Sequence, residues 1–570
     1  MKRLLKRLSA LSLSLVLTVV CLSVSVKADA DTFKDASVTE TGQIAGDINS
    51  DGSVDNKDLI RLFKYLSDCQ VDVNEDTLDV NGDNYINNKD LTRLFRYISG
   101  FEVTIYYNPV DDYQPQDNDM KIFYNSSGYD ASVKYTGGAA KAANDLKNKI
   151  LNAGNTEDIY TITGNKYYIK KSYSLNAIPE NLSPGDAVLF ERGGRWRVNE
   201  CTLTVPKGVI FGAYGEGDKP KFYGSAKNYA KKGIWTDTGN NIWRANLKGG
   251  NAGIIVFNEI YPLGVKKWEL SELSSFYDFY SNRSYVYLYC TDDPAKIFRS
   301  IEIGQRNEVI TVKSGGVLDN VCVRYTGGHG ITVHHKTENV SITNCEVGLL
   351  GGSQHHGTTR FGNGIEMQLG VKNVTTKNNY VYECYDAGIT FQSWDSAELP
   401  TIYDGVYISE NLIERCHYNI EFFTTQPERG GCYSELNNIS IDNNILRFSG
   451  YCWSYEQRPD HWMTAQIRSS QLGWFDATDN FVINDNIFDC SRASIIYWWW
   501  HSTDGSYVYD FPHPGLCVYN NSFYEAATPD ARVMGYRYER PKYAYGITTF
   551  RTAVEVFDSS PKTVVWLDTL

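Results

Sequence analysis

Between residues 310 and 523 one short pattern recurs seven times, with loops of unequal length between the copies. Five copies are plain: Gly330-Ile331-Thr332-Val333, Gly364-Ile365-Glu366-Met367, Gly388-Ile389-Thr390-Phe391, Asn419-Ile420-Glu421-Phe422 and Gln466-Ile467-Arg468-Ser469. Weaker copies lie at Ile310 and near Ile496. A second β-type run follows each copy and ends in polar residues. Registering these runs puts Asn379, Asn411, Asn444, Asn486 and Asn521 in one column. Short strands closed by an Asn able to take a left-handed turn, repeating every 21 to 47 residues, predict a coil of parallel strands. One coil cannot bury its own apolar side, so stacked coils must build the core with like residues above one another. An antiparallel sandwich of short strands gives no reason for a single Asn column.

The same register separates inside from outside. Alternate strand residues face opposite ways, so Ile331, Ile365, Ile389, Ile420 and Ile467 point inward. The outward column then reads Thr332, Glu366, Thr390, Glu421, Arg468. Two positions further along lie His334, Gln368, Gln392 and Phe423; three positions before each Ile lie Gly328, Gly362, Asp386 and His417. This face is expected to form a solvated trough gathering carboxylates, imidazoles, amides and an Arg. Glu366 and Glu421 stand two coils apart, roughly 10 Å at ~4.8 Å per strand. With side chains leaning together, that approaches the separation of about 6.5 to 9.5 Å that suits inverting glycoside hydrolysis. Arg468, one coil beyond Glu421, is expected to hold that carboxylate ionised as base or nucleophile, which leaves Glu366 as the acid. Asp386, on the coil between them, is a third candidate. His334, Gln368, Gln392, His417, Arg468 and the loop residue Trp394 are candidate sugar contacts. The plain alternative is a strand face whose charges pair for stability.

Earlier in the chain, residues 1–30 have a basic start (Lys2, Arg3, Lys6, Arg7), an apolar run to Val26 and Ala28-Asp29-Ala30, the pattern of a secretory signal peptide. The protein is therefore expected to be secreted, extracellular and not inserted in a membrane. Two loops 32 residues apart follow. The first offers Asp47, Asn49, Asp51, Ser53, Asp55 and Asp58; the second offers Asp79, Asn81, Asp83, Tyr85, Asn87 and Asp90. Oxygen donors at loop positions 1, 3, 5, 7, 9 and 12 suit calcium, one ion per loop. Position 12 is Asp rather than the Glu of an EF-hand, and no entering helix is evident.

With its two loops and following helices, the segment 46–100, within a domain placed at 43–102, resembles a type I dockerin. The resemblance implies that the protein plugs into a cohesin module of a scaffoldin in a cellulosome. The positions matching cohesin-contacting residues are Asn56, Lys57 and Lys64 in one half, and Asn88, Lys89 and Arg96 in the other. A polar linker (103–120) leads to a long domain at 121–570. Its amphipathic stretch at 138–152 predicts a helix suited to covering the open first coil. The coils at 182–196, 212–220 and 307–521 resemble the right-handed parallel β-helix proteins of polysaccharide-degrading bacteria. The fold class expected is thus mostly β: a right-handed parallel β-helix with a small α-helical calcium-binding dockerin at the N-terminus.

The resemblance is specific for fold and much less so for reaction. Gly328-His329-Gly330 is similar to a polygalacturonase sequence, but that family's paired-Asp motifs are missing upstream. The 41 Tyr and 12 Trp suit stacking on sugar faces. Alternation would send Tyr497, Trp499 and His501 outward on a late coil. A net charge of −13 without a basic patch argues against nucleic acid. Of the 12 Cys, Cys21 falls in the signal peptide; most of the rest are read as buried thiols. Three functions remain open at this stage. They are hydrolysis of a hemicellulose or pectic polymer by a carboxylate pair, β-elimination on a uronic-acid polymer with Lys336 or Arg468 as the nearest base, and carbohydrate binding without catalysis.

Overall fold

The computed structural model describes residues 44–66, most of 71–105, 139–198 and, with gaps, 202–526 and 554–567. The proposed signal peptide, the second calcium loop from Asp79 to Asn87 apart from Val80, Trp394, Trp499 and His501 lie outside the described residues. The chain divides into two compact units, Met1–Pro109 and Val110–Leu570.

In the first unit, helices Asn56–Leu66 and Asn88–Ile98 each carry a strongly amphipathic eleven-residue sequence. Their apolar stripes supply Leu59, Leu62 and Leu94 to a core shared with Ile48, Leu78, Val80 and Ile105.

The second unit is a parallel β-helix. Three parallel sheets run its length, two of ten strands and one of eight, and successive strands step from sheet to sheet. In the eight-stranded sheet the ladder pairs Leu203, Ile310, Ile331, Ile365, Ile389, Ile420, Ile467 and Ile496 in one unbroken column. The Ile residues from 310 to 467 are fully buried, a stabilisation of about 1.5–3 kcal/mol each before entropy is counted. The Gly preceding three of these Ile residues reflects close approach between coils. A Cβ on Gly364 would lie 2.5 Å from the Gly388 carbonyl oxygen.

The expected Asn column forms a buried ladder at the corner between the two ten-stranded sheets. Asn411 Oδ1 accepts the backbone N–H of Asn379 at 2.9 Å, and the same contact repeats from Asn444, Asn486 and Asn521. The left-handed turn, however, belongs to the residues just before the ladder: Asn378, Glu410, Asn443, Asp485 and Asn520 have φ between 52° and 60°. The ladder Asn residues are kept for their side-chain amides, and the bend is made one residue earlier.

Two further expectations change. The helix Ala140–Leu151 does not close the first coil; Ala139, Ala143 and Ile150 pack with Tyr380, Tyr382, Leu412 and Ile445 on the flank of a ten-stranded sheet. That flank carries the tyrosine rings an amphipathic helix can cover, with Lys147 Nζ 4.4 Å over the Tyr380 ring. The coil is also interrupted between strands Lys221–Tyr223 and Ile310–Val312 by a lobe with a mixed, mainly antiparallel five-stranded sheet and its own core. All eight described cysteines are free thiols, seven buried and Cys517 exposed.

Candidate functional site

The eight-stranded sheet carries the outward column as read from the register: Thr332, Glu366, Thr390, Glu421, Arg468 and Tyr497 are successive ladder partners. This column is not a solvated trough. Thr332, Glu366 and Thr390 have no exposed surface, Glu421 has 2%, and Tyr497 is buried as well. These side chains lie in the interior, where their charged groups find partners.

Glu366 is enclosed by three partners. Asn363 donates to Oε2 at 3.2 Å, Gln392 donates to Oε1 at 2.8 Å, and His329 Nδ1 faces Oε2 in a short ion pair. Burial pushes the Glu366 carboxyl up, but His329, with Gln392 and Asn363, outweighs it and the pKa ends below the usual value. Burial likewise pushes His329 down, and Glu366 outweighs it. The expectation that Glu366 is an accessible acid without a partner is therefore corrected. Its imidazole partner comes from the segment just before strand Ile331–Val333 on the neighbouring coil.

Glu421 reverses the other half of the expected assignment. Arg468 Nη1 lies 2.7 Å from Oε1, as the column predicts. Burial nevertheless pushes the carboxyl up to about 8; Arg468 opposes the rise, while the charges of Asp386 and Asp460 add to it. The buried site and the two neighbouring acids outweigh the guanidinium groups of Arg468 and Arg458, the former of which also lies 4.3 Å over the Tyr418 ring. Burial thus favours the protonated form of Glu421 despite the contact with Arg468.

Asp386 is the accessible member, with 19% of its side chain exposed and an ion pair to Arg458 Nη1 at 2.8 Å. Arg458 also grips Asp460 through Nε and Nη2, both at 2.9 Å. His417, in the column of Asp386, is fully buried with its ring edge-on to Tyr418, so it cannot meet a ligand as expected. Gln368 is also buried, accepting from or facing His334 Nδ1 at 2.8 Å. His334 stays 35% exposed and contacts Glu308 at 3.1 Å; that bond raises its pKa against burial. Gln392 is half-buried at the rim.

Sequence reasoning missed Glu308, Asn363, Arg458 and Asp460, all outside the repeated tetrapeptide. His329 was noticed only as part of a Gly-His-Gly string. The loop 351–360 is largely a hairpin, Ser353–His356 with Thr359–Phe361, whose Phe361 ring lies 5.0 Å from His329. Among the described residues no group of three His, Cys, Asp or Glu side chains converges as a metal site.

In the first unit, Asp47 accepts the amides of Asp51 and Gly52, and Asp58 accepts those of Asn49 and Asp55. Asp47 and Asp58 are buried, and the buried Asn49 Oδ1 has no hydrogen-bond partner. Carboxylates gathered around a buried amide oxygen without a partner fit a hard cation. Asn56, Lys57, Lys64 and Arg96 are exposed, Lys57 reaching Asp51 at 2.8 Å and Arg96 lying over the Phe101 ring. Asn88 and Lys89 begin the second helix.

The fold and these loops define a parallel β-helix joined to a small helical loop-and-helix repeat. Residues 45–99 match the model of the dockerin type I domain. No curated protein sequence matches the chain. Among solved structures, the chain is similar to the GH136 lacto-N-biosidase from Eubacterium ramulus at 12% identity, covering 71% of this chain and 68% of that one, with a TM-score of 0.32. It is similar to the family 28 exopolygalacturonase of Yersinia enterocolitica at 13% identity, 65% and 67% coverage and a TM-score of 0.30. For the alginate lyase from Paenibacillus sp. str. FPU-7 the values are 11%, 62% and 97%, and 0.27. Likeness of that size carries no argument about reaction, and the fold rests on the ladders themselves.

Proposed function

We propose that the protein is a secreted cellulosomal enzyme that hydrolyses glycosidic bonds of a plant cell-wall polysaccharide, with Glu421 as general acid and Asp386 as base. The observation that carries this reading is the placing of a buried Glu421, whose burial favours the protonated form, on the coil next to a partly exposed Asp386 held by Arg458. Glycoside hydrolysis requires two carboxyl groups, one to give a proton and one to take it. Glu421, which unlike Glu366 and His417 keeps a little exposed surface (2%), would protonate the leaving oxygen at the edge of the buried column. Asp386, oriented by Arg458, would take a proton from the attacking water. Their Cα atoms stand on neighbouring coils about four residues apart along the strand, ~13 Å, which leaves room for that water once the side chains lean together. Glu366 serves as a positioning residue that fixes Gln392 and His329 beneath the rim.

The dockerin loops would each hold a calcium ion, Asp47, Asn49, Asp51, Ser53, Asp55 and Asp58 in the first and their counterparts through Asp90 in the second. The exposed helix residues Asn56, Lys57, Lys64 and Arg96 would face a cohesin. Incubation with a panel of plant polysaccharides tests the reaction. New reducing ends without unsaturated uronides are expected; unsaturated uronides would replace hydrolysis by elimination, and no product at all would overturn the enzymatic reading. Chelation is expected to abolish cohesin binding, and binding that persists in excess chelator would remove calcium from the account.

A further inference from the structure

The lobe inserted between Lys221–Tyr223 and Ile310–Val312 buries Trp235, Phe257, Phe279, Val286 and Leu288 in a core separate from that of the coil. Its sheet runs, in spatial order, Val265–Lys266, Asp278–Ser281, Tyr285–Tyr289, Ile242–Asn246 and Thr236–Asp237. Alternation sends Phe279, Val286, Leu288 and Ala245 into that core and turns Tyr280, Tyr285, Tyr287, Tyr289 and Arg244 to the other face, all half-buried.

The ladder sets Tyr280, Tyr287, Arg244 and Thr236 in one row across four strands. Tyr280 and Tyr287 have ring centroids 5.9 Å apart and planes 30° from parallel. Tyr285 lies 6.1 Å from Tyr287, and the Arg244 guanidinium is 4.5 Å over the Tyr285 ring. Asn241 donates to Tyr289 Oη at 3.3 Å. A solvated sheet face is normally built from Thr, Ser and Lys; here flat rings with polar rims alternate with hydrogen-bond donors. A pyranose has the matching surface, with C–H bonds for the rings and hydroxyls for guanidinium and hydroxyl partners. The row carries one cation and no carboxylate, in a chain of net charge −13, so it suits a neutral or acidic polymer better than the rest of the surface does.

We propose that this face is a second glycan-binding surface, holding a polysaccharide segment across the Tyr280, Tyr287 and Arg244 row and acting apart from the carboxylates of the eight-stranded sheet. The choice of ligand class rests on the polysaccharide reading above; the binding itself needs no turnover. The test measures depletion of the full-length protein from solution by insoluble xylan and by insoluble pectic polymer. Wild type and Glu421→Gln are expected to bind at least one polymer equally. Tyr280→Ala/Tyr287→Ala is expected to weaken that binding about tenfold or more, the equivalent of two lost ring contacts, with unchanged cleavage of soluble oligosaccharides. Arg244→Gln, a milder change, is expected to weaken binding several-fold and guards against loss of fold in the double variant. Binding by Arg244→Gln and the Tyr variant equal to wild type, or no binding by wild type to either polymer, would overturn the proposal. Tyr-dependent binding without any turnover would sink the hydrolase reading and leave this one standing.

Discussion

Two buried polar columns run along the same coils and could hardly differ more in construction. At the corner between the ten-stranded sheets every rung from Asn379 to Asn521 is identical. Each Oδ1 from Asn411 onward accepts from the Asn of the coil before, and each Nδ2 also donates to a backbone carbonyl, such as Ile342, Thr376 or Ile408. In the eight-stranded sheet the rungs change at every step from Thr332 to Tyr497, and the partners follow no repeat: Glu421 meets Arg468 on the next rung, while Glu366 meets His329 and the neighbouring Asp386 meets Arg458, both from outside the column. Repetition lets a stack satisfy its own polar groups by neutral hydrogen bonds. Buried charges without repetition cost stability that the fold does not need to lose, and such sites concentrate where chemistry is done.

The largest effect that could break this contrast is catalytic. Glu421→Gln is expected to lower kcat by about 10²- to 10⁴-fold, the usual contribution of a general acid, with Tm unchanged or slightly raised. In the wild type, activity is expected to fall as pH rises through about 8, where Glu421 loses its proton. Full activity of the Gln variant, measured by reducing ends, would make the column a set of structural ion pairs.

Next in size is the opposite column. Asn444→Ala deprives the Asn411 amides, the Ile408 carbonyl and Asn486 Oδ1 of a buried partner. At about 1–3 kcal/mol for each unsatisfied group, a loss of roughly 3 kcal/mol or more is expected in denaturant unfolding, with kcat unaltered while the chain stays folded. A neutral Asn444→Ala would mean that the ladder merely decorates a corner held by the strands.

The stack and both columns were legible in the sequence because a solenoid places like over like, so a linear repeat becomes a spatial one. Ile331 to Ile467, the Asn column and the order Glu366, Thr390, Glu421, Arg468 all follow from that. What could not be read depends on contacts outside the repeat. The inserted lobe pairs Tyr285–Tyr289 antiparallel with Ile242–Asn246 across some 40 residues without internal similarity. The partners of the carboxylates come from turns and loops: His329 and Asn363 from the ends of strands, Arg458 and Asp460 from the segment before Ala465–Ser469. The burial of Glu366 and Glu421 was hidden for the same reason, since the charge state of a buried group is set by its whole surroundings and not by its nearest rung.

Glu383 offers the finest test of what separates a working carboxyl from a structural one. It lies on the flank of strand Tyr380–Cys384, far from the repeated tetrapeptide, 1% exposed, with Tyr261 donating to Oε1 at 2.6 Å and the Trp453 amide to Oε2 at 3.3 Å. It thereby fastens both the inserted lobe and the 449–462 loop to the coil. Burial pushes its pKa up to about 7, against Arg415 and the two hydrogen bonds. Because the folded state keeps a proton that the unfolded chain releases near pH 4.5, stability is expected to fall as pH rises from about 4.5 to about 7. Glu383→Gln keeps a hydrogen-bonding side chain without the charge. It should flatten that slope, leaving stability near wild type at pH 5 and gaining about 1–3 kcal/mol at pH 8, while activity on soluble substrate is retained. Parallel pH profiles of Tm for the two proteins would instead mean that Arg415 keeps Glu383 ionised, and that burial alone does not protonate a carboxyl in this fold, Glu421 included.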